Sequence, residues 1–268
     1  MFMFSRKRHY PSGAEGYRAY VVGDVHGRLD LLERLLSQIE NEIDGSSANV
    51  VLAFVGDLID RGPASAQVVE RLRTYRKPGV RTVLLAGNHE EVLLRILAGD
   101  ASLITGWLKF GGAECLRSYG ADPKKLRRLP EADALALIRQ VIPSEHVEFL
   151  QGFGDTFRFG DYLFVHAGVR PGVELSAQRQ KDLRWIREPF LSERAEHGFV
   201  VVHGHTVRKD VEERSNRVGI DTGAYRFGVL TALGLEGTDR WYLQAKTAVP
   251  EGNLPIQSAL DAVSSQSG

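Results

Sequence analysis

Five runs of apolar residues divide the chain, and each of them ends in a polar residue. The runs are rich in Val, Leu, Ile and Phe, and they occupy residues 19–24, 50–57, 81–88, 162–168 and 199–205. Continuous apolar runs of this length are typical of strands that are buried on both faces. The pattern therefore predicts five strands in the core of the protein.

Between the first three runs, apolar residues recur with helical spacing. Residues 28–40 place leucines and an isoleucine on one face of a helix, and residues 65–76 repeat the pattern after Pro63. Strands that alternate with helices in this way form βαβ units with parallel strand pairs. The fold class predicted from the pattern is therefore α/β.

Residues 89–151 lose the strand pattern and predict several helices, which we interpret as a helical insertion over one edge of the sheet. Strand-like sequence resumes after residue 151 and continues to about residue 249. We expect one domain over residues 18–250, with a tail at residues 1–17 and a polar tail at residues 251–268. The first tail carries a basic cluster but lacks the apolar stretch of a secretory signal.

Composition excludes some classes of partner. The chain of 268 residues has 34 basic and 34 acidic side chains, so its formal net charge is zero, and no nucleic-acid or membrane partner is expected. No apolar run is long enough to span a bilayer. The single cysteine, Cys115, fits a reducing compartment, and we expect a cytoplasmic protein.

The polar residues at the strand ends are the candidate chemistry. All can bind a metal, and they are Asp24, His26, Asp57, Asn88, His89, His166 and His205. The carboxyl ends of strands in α/β sheets converge on a crevice, so the residues should form one multidentate site. Asp24 and His26, two apart in extended chain, should share a face and bind one ion. Mixed Asp, His and Asn ligands suit Mn, Fe or Zn.

Each of these residues also has an ordinary explanation when it is considered alone. A strand-end aspartate is most often a turn former or a helix N-cap, and a histidine beside apolar residues usually belongs to the core or the surface. Turn formation does not explain why a residue able to bind a metal stands at the end of five successive predicted strands. The repetition therefore favours a metal site.

Five short motifs carry a family resemblance. They are GDVHG at 23–27, GDLIDRG at 56–62, GNHE at 87–90, HAG at 166–168 and HGHT at 203–206. In this order they resemble the metallophosphoesterase superfamily, and more closely its phosphoprotein-phosphatase branch of bacterial and phage serine/threonine phosphatases. The resemblance implies a β-sandwich of two mixed sheets flanked by helices (αββα), with two metals bound at the strand ends.

The resemblance also assigns metal ligands. Asp24, His26 and Asp57 would bind the first metal. Asp57 would bridge to a second metal, whose other ligands would be Asn88, His166 and His205. Two divalent cations are expected, with Mn²⁺ favoured over Fe or Zn, and a water shared between them would attack phosphate in line without a phosphoenzyme.

Further residues of the same motifs would act on the substrate. His89 would be the general acid toward the leaving alkoxide, with Asp60 orienting its ring. Arg61 would grip two phosphate oxygens. A second arginine of this kind is expected between the fourth and fifth motifs, where Arg184 and Arg187 are both available and the resemblance favours Arg187.

Of the two histidines in HGHT, family position favours His205 as the ligand over His203. The DTG stretch at 221–223 resembles an aspartic-protease loop, but such enzymes need two copies and the chain has one.

The resemblance favours a protein serine/threonine phosphatase, whose substrate would be a phosphorylated protein or peptide. The alternative is a symmetrical diadenosine tetraphosphatase or another nucleotide phosphohydrolase, for which the basic residues 124–128 could line a polyphosphate groove. A solvated helix face or turn is the favoured explanation of the same basic residues. A catalytically silent binding module is a third reading, which the intact ligand set opposes.

Overall fold

Two five-stranded mixed sheets pack face to face in the computed structural model, which describes residues 10–44 and 48–247. The strands are β1 Tyr17–Val22, β2 Asn49–Phe54, β3 Val80–Leu84, β4 Thr156–Phe159, β5 Tyr162–Val165, β6 Val200–His203, β7 Glu212–Glu213, β8 Arg217–Gly219, β9 Val229–Glu236 and β10 Asp239–Lys246. The α-helices are α1 Leu29–Ile43, α2 Ser65–Arg73, α3 Asn88–Ala98, α4 Ile104–Trp107, α5 Ala113–Ser118, α6 Pro123–Leu126, α7 Glu131–Val141, α8 Ser144–Gln151, α9 Gln180–Trp185 and α10 Ala224–Phe227.

The first sheet has the strand order β10-β9-β1-β2-β3, and the second has the order β4-β5-β6-β8-β7. β1, β2 and β3 are parallel, as are β5, β6 and β8, whereas β9, β10, β4 and β7 pair antiparallel with their neighbours. Helices cover the outer face of each sheet. The predicted α/β fold with a sandwich of two mixed sheets flanked by helices is confirmed.

The continuous apolar runs reflect burial on both faces of the first sheet. In β2, Leu52 and Phe54 pack against the helices, whereas Val51 and Ala53 pack between the two sheets. The second sheet is covered on its outer face by α9 and the segment after it, where Leu183 and the residues around it pack on β5 and β6. Side chains of alternate strand residues point to opposite faces, so both sets had to be apolar.

The helices α3 to α8 form one excursion from the first sheet, as the predicted insertion over 89–151 describes. The chain leaves after Leu84 and returns beside the same strand end, where Gly154 N donates to Leu84 O (3.0 Å) and Ala86 N donates to Gly154 O (2.8 Å). Within the excursion, a π-helical turn at Leu108–Gly112 interrupts the path between α4 and α5.

Some elements differ from the sequence prediction. β4 was not predicted, because the strand has only four residues and only Phe159 among them is buried. The third predicted strand, 81–88, ends at Leu84, and Asn88 already begins α3.

The described part of the predicted first tail is held against the sheets. Ser12 N donates to Asp161 Oδ2 (2.9 Å), and Gly13 N donates to Gly237 O (2.8 Å). The predicted tail at residues 251–268 lies outside the described residues. Within the described ranges, no helix is both long and apolar enough to cross a membrane.

Candidate metal centre

The six predicted metal ligands are brought together at one rim, where loops from both sheets meet. Each is at least nine-tenths buried, and they are Asp24, His26, Asp57, Asn88, His166 and His205. The first four follow strands of the first sheet, and the two remaining histidines follow β5 and β6 of the second. The rim therefore belongs to the junction of two sheets and not to the edge of one open sheet.

Backbone strain concentrates at this rim. Among the described residues, five non-glycine residues have a positive φ angle, and all are predicted site residues: His26, Asp57, Asp60, Arg61 and His205. Left-handed backbone is unfavourable for such residues and persists where surrounding structure enforces it, which is characteristic of functional sites.

Asp24 and His26 converge for a different reason from the one predicted. Their spacing was interpreted as extended chain, but His26 has a φ of 46° and lies in a tight loop between β1 and α1. His26 Nε2 lies 4.0 Å from Asp24 Oδ2 and 3.6 Å from Asp57 Oδ2. The loop, and not strand alternation, brings the two side chains to one place.

Asp57 occupies the centre of the cluster. Its Oδ2 lies 3.6 Å from His26 Nε2 and 3.9 Å from His89 Nε2, and its Oδ1 lies 3.5 Å from His166 Nε2. Burial alone would raise the pKa of Asp57, but electrostatic interaction with the neighbouring His166, His89 and His26 rings holds it well below its usual range. Asp57 is thus an ionised carboxylate that reaches two sets of ring nitrogens.

Close packing of the Gly87 backbone against the Asp57 side chain holds Asp57 in this position. A Cβ atom on Gly87 would lie 2.1 Å from Asp57 Oδ1, so only glycine fits there. Glu90, three residues later, accepts from Asp57 N (2.9 Å), Leu58 N (2.8 Å) and Gly87 N (2.9 Å). Burial and the charge of Asp57 raise the pKa of Glu90 to about 7. Glu90 therefore ties the loop after β2 to the start of α3.

The histidines are oriented by their second ring nitrogens. Nδ1 of His26 lies 2.8 Å from Ile59 O, and Nδ1 of His166 lies 2.8 Å from Val55 O. Because a carbonyl only accepts, each Nδ1 carries the proton and each Nε2 presents a lone pair to the rim, an arrangement usual for metal-binding histidines. Burial lowers the pKa of both rings and favours the neutral form that ligation requires.

Asn88 and His205 complete the side of the rim next to His166. Asn88 Oδ1 lies 2.8 Å from His205 Nδ1 and 3.0 Å from His166 Nε2. His205 Nε2 is buried without a hydrogen-bond partner among the described residues. His203 lies apart from this group: its ring packs edge-on against Phe190 at 5.1 Å, and its Nδ1 donates to Gly204 O (3.0 Å).

Within the part of the chain that the structure describes, two three-residue groups have ligand atoms close enough to hold a metal ion. One is His26, Asp57 and His89, and the other is Asp57, His166 and His205. The groups share Asp57, as a bridging carboxylate would require. The nitrogen and oxygen donors suit Mn, Fe or Zn better than Ca or Mg.

Asp221, in the DTG stretch, adds a further buried carboxylate that was not predicted as a site residue. Its Oδ1 accepts from Gly223 N (3.0 Å), and its Oδ2 has no hydrogen-bond partner among the described residues. Burial raises the pKa of Asp221 to about 6, and burial with the charges of Asp221 and Asp57 raises the pKa of Asp24 well above its usual value. Buried carboxylates crowded in this way fit bound cations, which compensate their charge.

His89 and Asp60 form a buried pair beside Asp57. His89 Nδ1 lies 2.6 Å from Asp60 Oδ2, and Asp60 is wholly buried. Burial lowers the pKa of His89, but the charge of Asp57 and the hydrogen bond to Asp60 outweigh it and raise the pKa above its usual value. The pair can therefore keep a proton on His89 at the rim. Trp107, which the sequence analysis did not single out, also donates to Asp60.

Arg61 lies over the same cluster. Its Nη1 is 2.9 Å from His26 Nε2, and its guanidinium stacks on the ring of Tyr225 with 4.5 Å between the guanidinium carbon and the ring centroid. The Tyr225 ring also meets the His26 ring edge-on at 5.1 Å. Tyr225 was not predicted as a site residue, because a lone tyrosine after the DTG stretch carries no distinguishing pattern.

The structure separates the two candidate arginines after the fourth motif. Arg184 is engaged on α9 by Asp155 (2.7 Å) and Glu91 (3.5 Å). The exposed Arg187 makes no side-chain hydrogen bond or ion pair within the described ranges. Partial desolvation lowers the pKa of Arg187, and so does repulsion from Arg61, so the two guanidinium groups are close enough to interact. The geometry thus leaves Arg187 free for an anion.

Comparison with known proteins adds the family. The sequence profile described as calcineurin-like phosphoesterase matches residues 17–229. A metallophosphoesterase from Sphaerobacter thermophilus has the same fold, with a TM-score of 0.51 and 18% identity over 86% of this chain and 88% of that one.

Two curated relatives carry different names. A bis(5'-nucleosyl)-tetraphosphatase of the asymmetrical type from Anoxybacillus flavithermus is 28% identical and covers 80% of this chain and 88% of its own. Serine/threonine-protein phosphatase 1 of Salmonella typhimurium is 30% identical and covers 81% of this chain and 91% of its own.

Proposed function

The chain belongs to the calcineurin-like phosphoesterases, and from that membership we propose that it is a protein serine/threonine phosphatase that hydrolyses phosphate monoesters. The observation that carries the proposal is the His89–Asp60 pair, which lies beside Asp57 and within the first group of candidate metal ligands. The coarser conclusion, a metallophosphoesterase, follows from the family itself.

We assign the candidate ligands to two divalent cations. Asp24, His26 and Asp57 would hold the first, and Asp57 would be shared with a second that Asn88, His166 and His205 complete. When bound, the cations would acidify a water for in-line attack and offset the charge of the phosphate. Mn²⁺ is the favoured metal, with Fe and Zn as alternatives that the same nitrogen and oxygen donors accept.

Arg61 and Arg187 would bind the phosphate group. Planar guanidinium groups donate two parallel hydrogen bonds to phosphate oxygens. Arg61 is stacked on Tyr225 and held beside His26, so its fork is oriented before the substrate arrives. Arg187 interacts with the charges of Arg61 and Asp57, and no side chain in the described ranges binds its guanidinium group.

His89 would act on the leaving group. As the bond from phosphorus to the ester oxygen breaks, the proton on His89 Nε2 passes to that oxygen, while Nδ1–H stays bound to Asp60. Asp60 remains a carboxylate and stabilises the ring in the required orientation. A serine or threonine alkoxide is a poor leaving group and needs this proton. The phosphate that leaves when a phosphoanhydride is cleaved departs far more easily. The buried pair therefore supports a monoester of an alcohol as substrate.

Hydrolysis of dinucleoside tetraphosphates is the second candidate. It is favoured by the relative from Anoxybacillus flavithermus and by the exposed basic residues at 124–128 on and beside α6. A phosphorylated protein or peptide is the partner under the first proposal, and a dinucleotide is the partner under the second. For either, the buried Cys115 fits the reducing conditions of the cytoplasm.

A head-to-head assay with added Mn²⁺ tests the proposal. Phosphoserine and phosphothreonine peptides and p-nitrophenyl phosphate are compared with diadenosine tetraphosphate at equal concentration, and Asp57→Asn serves as the inactive control. We expect the peptides to have the higher kcat/KM. Turnover of diadenosine tetraphosphate alone would overturn the protein-phosphatase assignment in favour of the second candidate.

A further inference from the structure

Each of the three tryptophans donates its indole N–H to a carboxylate, and for Trp107 that carboxylate is Asp60. Trp107 Nε1 lies 2.9 Å from Asp60 Oδ2 and 3.2 Å from Oδ1. Oδ2 is also the atom that accepts from His89 Nδ1 at 2.6 Å. One carboxylate oxygen thus joins the indole to the imidazole, and both aromatic side chains are buried.

Trp107 comes from the later part of the helical excursion, whereas five of the six candidate ligands follow strands β1, β2, β5 and β6. It is the last residue of α4 and is followed by the π-helical turn Leu108–Gly112. The turn folds back over the indole so closely that a Cβ on Gly112 would lie 2.3 Å from the ring. The turn is kinked, because Phe110 and Gly111 leave helical backbone geometry and Gly111 has a φ of 117°.

The same turn also contacts the residue after Asp60. Arg61 N donates to Gly111 O at 3.1 Å. Asp60 and Arg61 have φ angles of 72° and 65°, which are unfavourable for residues with a side chain. Asp60 N is held by Ser65 Oγ (2.9 Å), and the Cys115 thiol lies against the Asp60 carboxylate. The excursion therefore supplies contacts to both strained residues.

We propose that Trp107 is a positioning residue for proton transfer by His89. The indole N–H fixes the Asp60 carboxylate so that Oδ2 meets His89 Nδ1–H and the opposite nitrogen, Nε2, faces the leaving oxygen. The proposal rests on the proposed function, in which His89 protonates the leaving group. It adds that the part of the helical excursion beyond α3 supports catalysis through the hydrogen bond from Trp107 to Asp60.

Trp107→Phe tests the proposal, because it removes the N–H and keeps most of the packing. With a phosphoserine peptide, whose alkoxide needs a proton, kcat should fall by about tenfold, a fraction of the full effect of a general acid. With p-nitrophenyl phosphate, whose phenolate leaves unaided, kcat should fall by less than about threefold. KM for both should stay unchanged, because neither phosphate-binding arginine is altered.

A double variant separates positioning from packing. In an Asp60→Asn background the pair is already impaired, so Trp107→Phe should add little further loss of kcat. Trp241→Phe is the matched control: it removes an indole N–H that donates to Glu42 (3.0 Å) from β10, at the edge of the first sheet opposite β3. The control should leave kcat for both esters unchanged.

Equal losses on the two esters, or full additivity with Asp60→Asn, would make Trp107 a packing residue and overturn the inference alone. A wild-type protein that hydrolyses neither ester would overturn the proposed function and this role with it. If Trp107→Phe does not fold, benzothienylalanine, which has the shape of tryptophan and no N–H, replaces Trp107 in a Trp185→Phe, Trp241→Phe chain. The same leaving-group pattern is then expected, and its absence contradicts the inference.

Discussion

Asp57 Oδ1 and His166 Nε2 lie 3.5 Å apart, although the two residues follow strands of different sheets. Each of the two residues is held by a hydrogen bond to a further residue. Glu90 accepts the backbone N–H of Asp57, and the carbonyl of Val55 accepts Nδ1–H of His166. The protein's own hydrogen bonds therefore set the meeting of the two sheets at the rim.

Replacement of Asp57 tests the shared carboxylate. Asp57 is the member common to both groups of candidate ligands, so Asp57→Asn should lower the affinity for both cations. We expect elemental analysis of the purified variant to give fewer than two metals per chain. Asp155→Asn, which alters a carboxylate bonded to Arg184, should retain both. Two tightly bound metals in Asp57→Asn would contradict the bridging role.

Replacement of His89 separates acid catalysis from metal binding. His89→Asn should lower kcat for a phosphoserine peptide by about a hundredfold or more, as the loss of a general acid does, while the metal content stays unchanged. His146→Asn is the control, since His146 is bonded to Tyr119 and Glu70 away from the rim. Loss of a metal from His89→Asn would identify His89 as a ligand, which its distance to Asp57 also allows.

The two arginines of the α9 region make a matched pair. Arg187→Ala should raise KM and weaken inhibition by inorganic phosphate by about tenfold, which corresponds to one charge-assisted interaction of about 1.4 kcal/mol. Arg184→Ala should change either constant by less than about twofold, because Asp155 and Glu91 already bind that guanidinium. The reverse ranking would assign the phosphate contact to Arg184.

Glu90 provides a test of stability. Its carboxylate accepts three short backbone N–H bonds, and a glutamine amide has one acceptor oxygen, so Glu90→Gln leaves a buried N–H without a partner. We expect urea unfolding to show a loss of about 1–3 kcal/mol. Glu91→Gln, one residue further and partly exposed, should cost less than about 1 kcal/mol. Equal effects of the two variants would count against the assigned role of Glu90.

Protonation of His203 should contribute to the loss of folding stability in acid. Burial lowers its pKa from 6.5 to about 4, so the folded state binds this proton less readily than the unfolded chain. Stability should therefore be intact above about pH 6.5 and decrease as pH falls toward about 4, by up to about 3 kcal/mol from this residue. When both proteins are measured with a metal chelator present, the free energy of unfolding of His203→Asn should decline less steeply over that pH range than that of the wild type. Parallel curves for the two proteins would exclude His203 as the source.

Much of this architecture is predictable from the sequence, because its strands are buried on both faces and are marked by continuous apolar runs. The ligand-bearing ends of β1, β2, β5 and β6 are found in this way, and the residues collected at the rim follow from them. β4 is not found, since a short edge strand with one buried residue leaves no such pattern.

Residues that act through tertiary contacts are also missed. Trp107 and Tyr225 reach the rim from the excursion and from α10, and nothing in their local sequence marks the destination. The reason that Asp24 and His26 meet is likewise not predictable: their spacing suggests extended chain, whereas the observed loop depends on a left-handed His26. Asp221 is recognisable only when its burial beside Asp24 is known.

The excursion of residues between Leu84 and Gly154 departs from and rejoins a single strand end. Because the two ends of the excursion are adjacent, its length can change at little entropic cost. Neither sheet has to shift its register to accommodate such a change. Evolution is thus able to vary the helices after α3 without moving the strand ends that carry the other candidate ligands. Any such variant has to keep the start of α3, which carries Asn88 and His89. It also has to keep the contacts by which Trp107 and Gly111 reach Asp60 and Arg61.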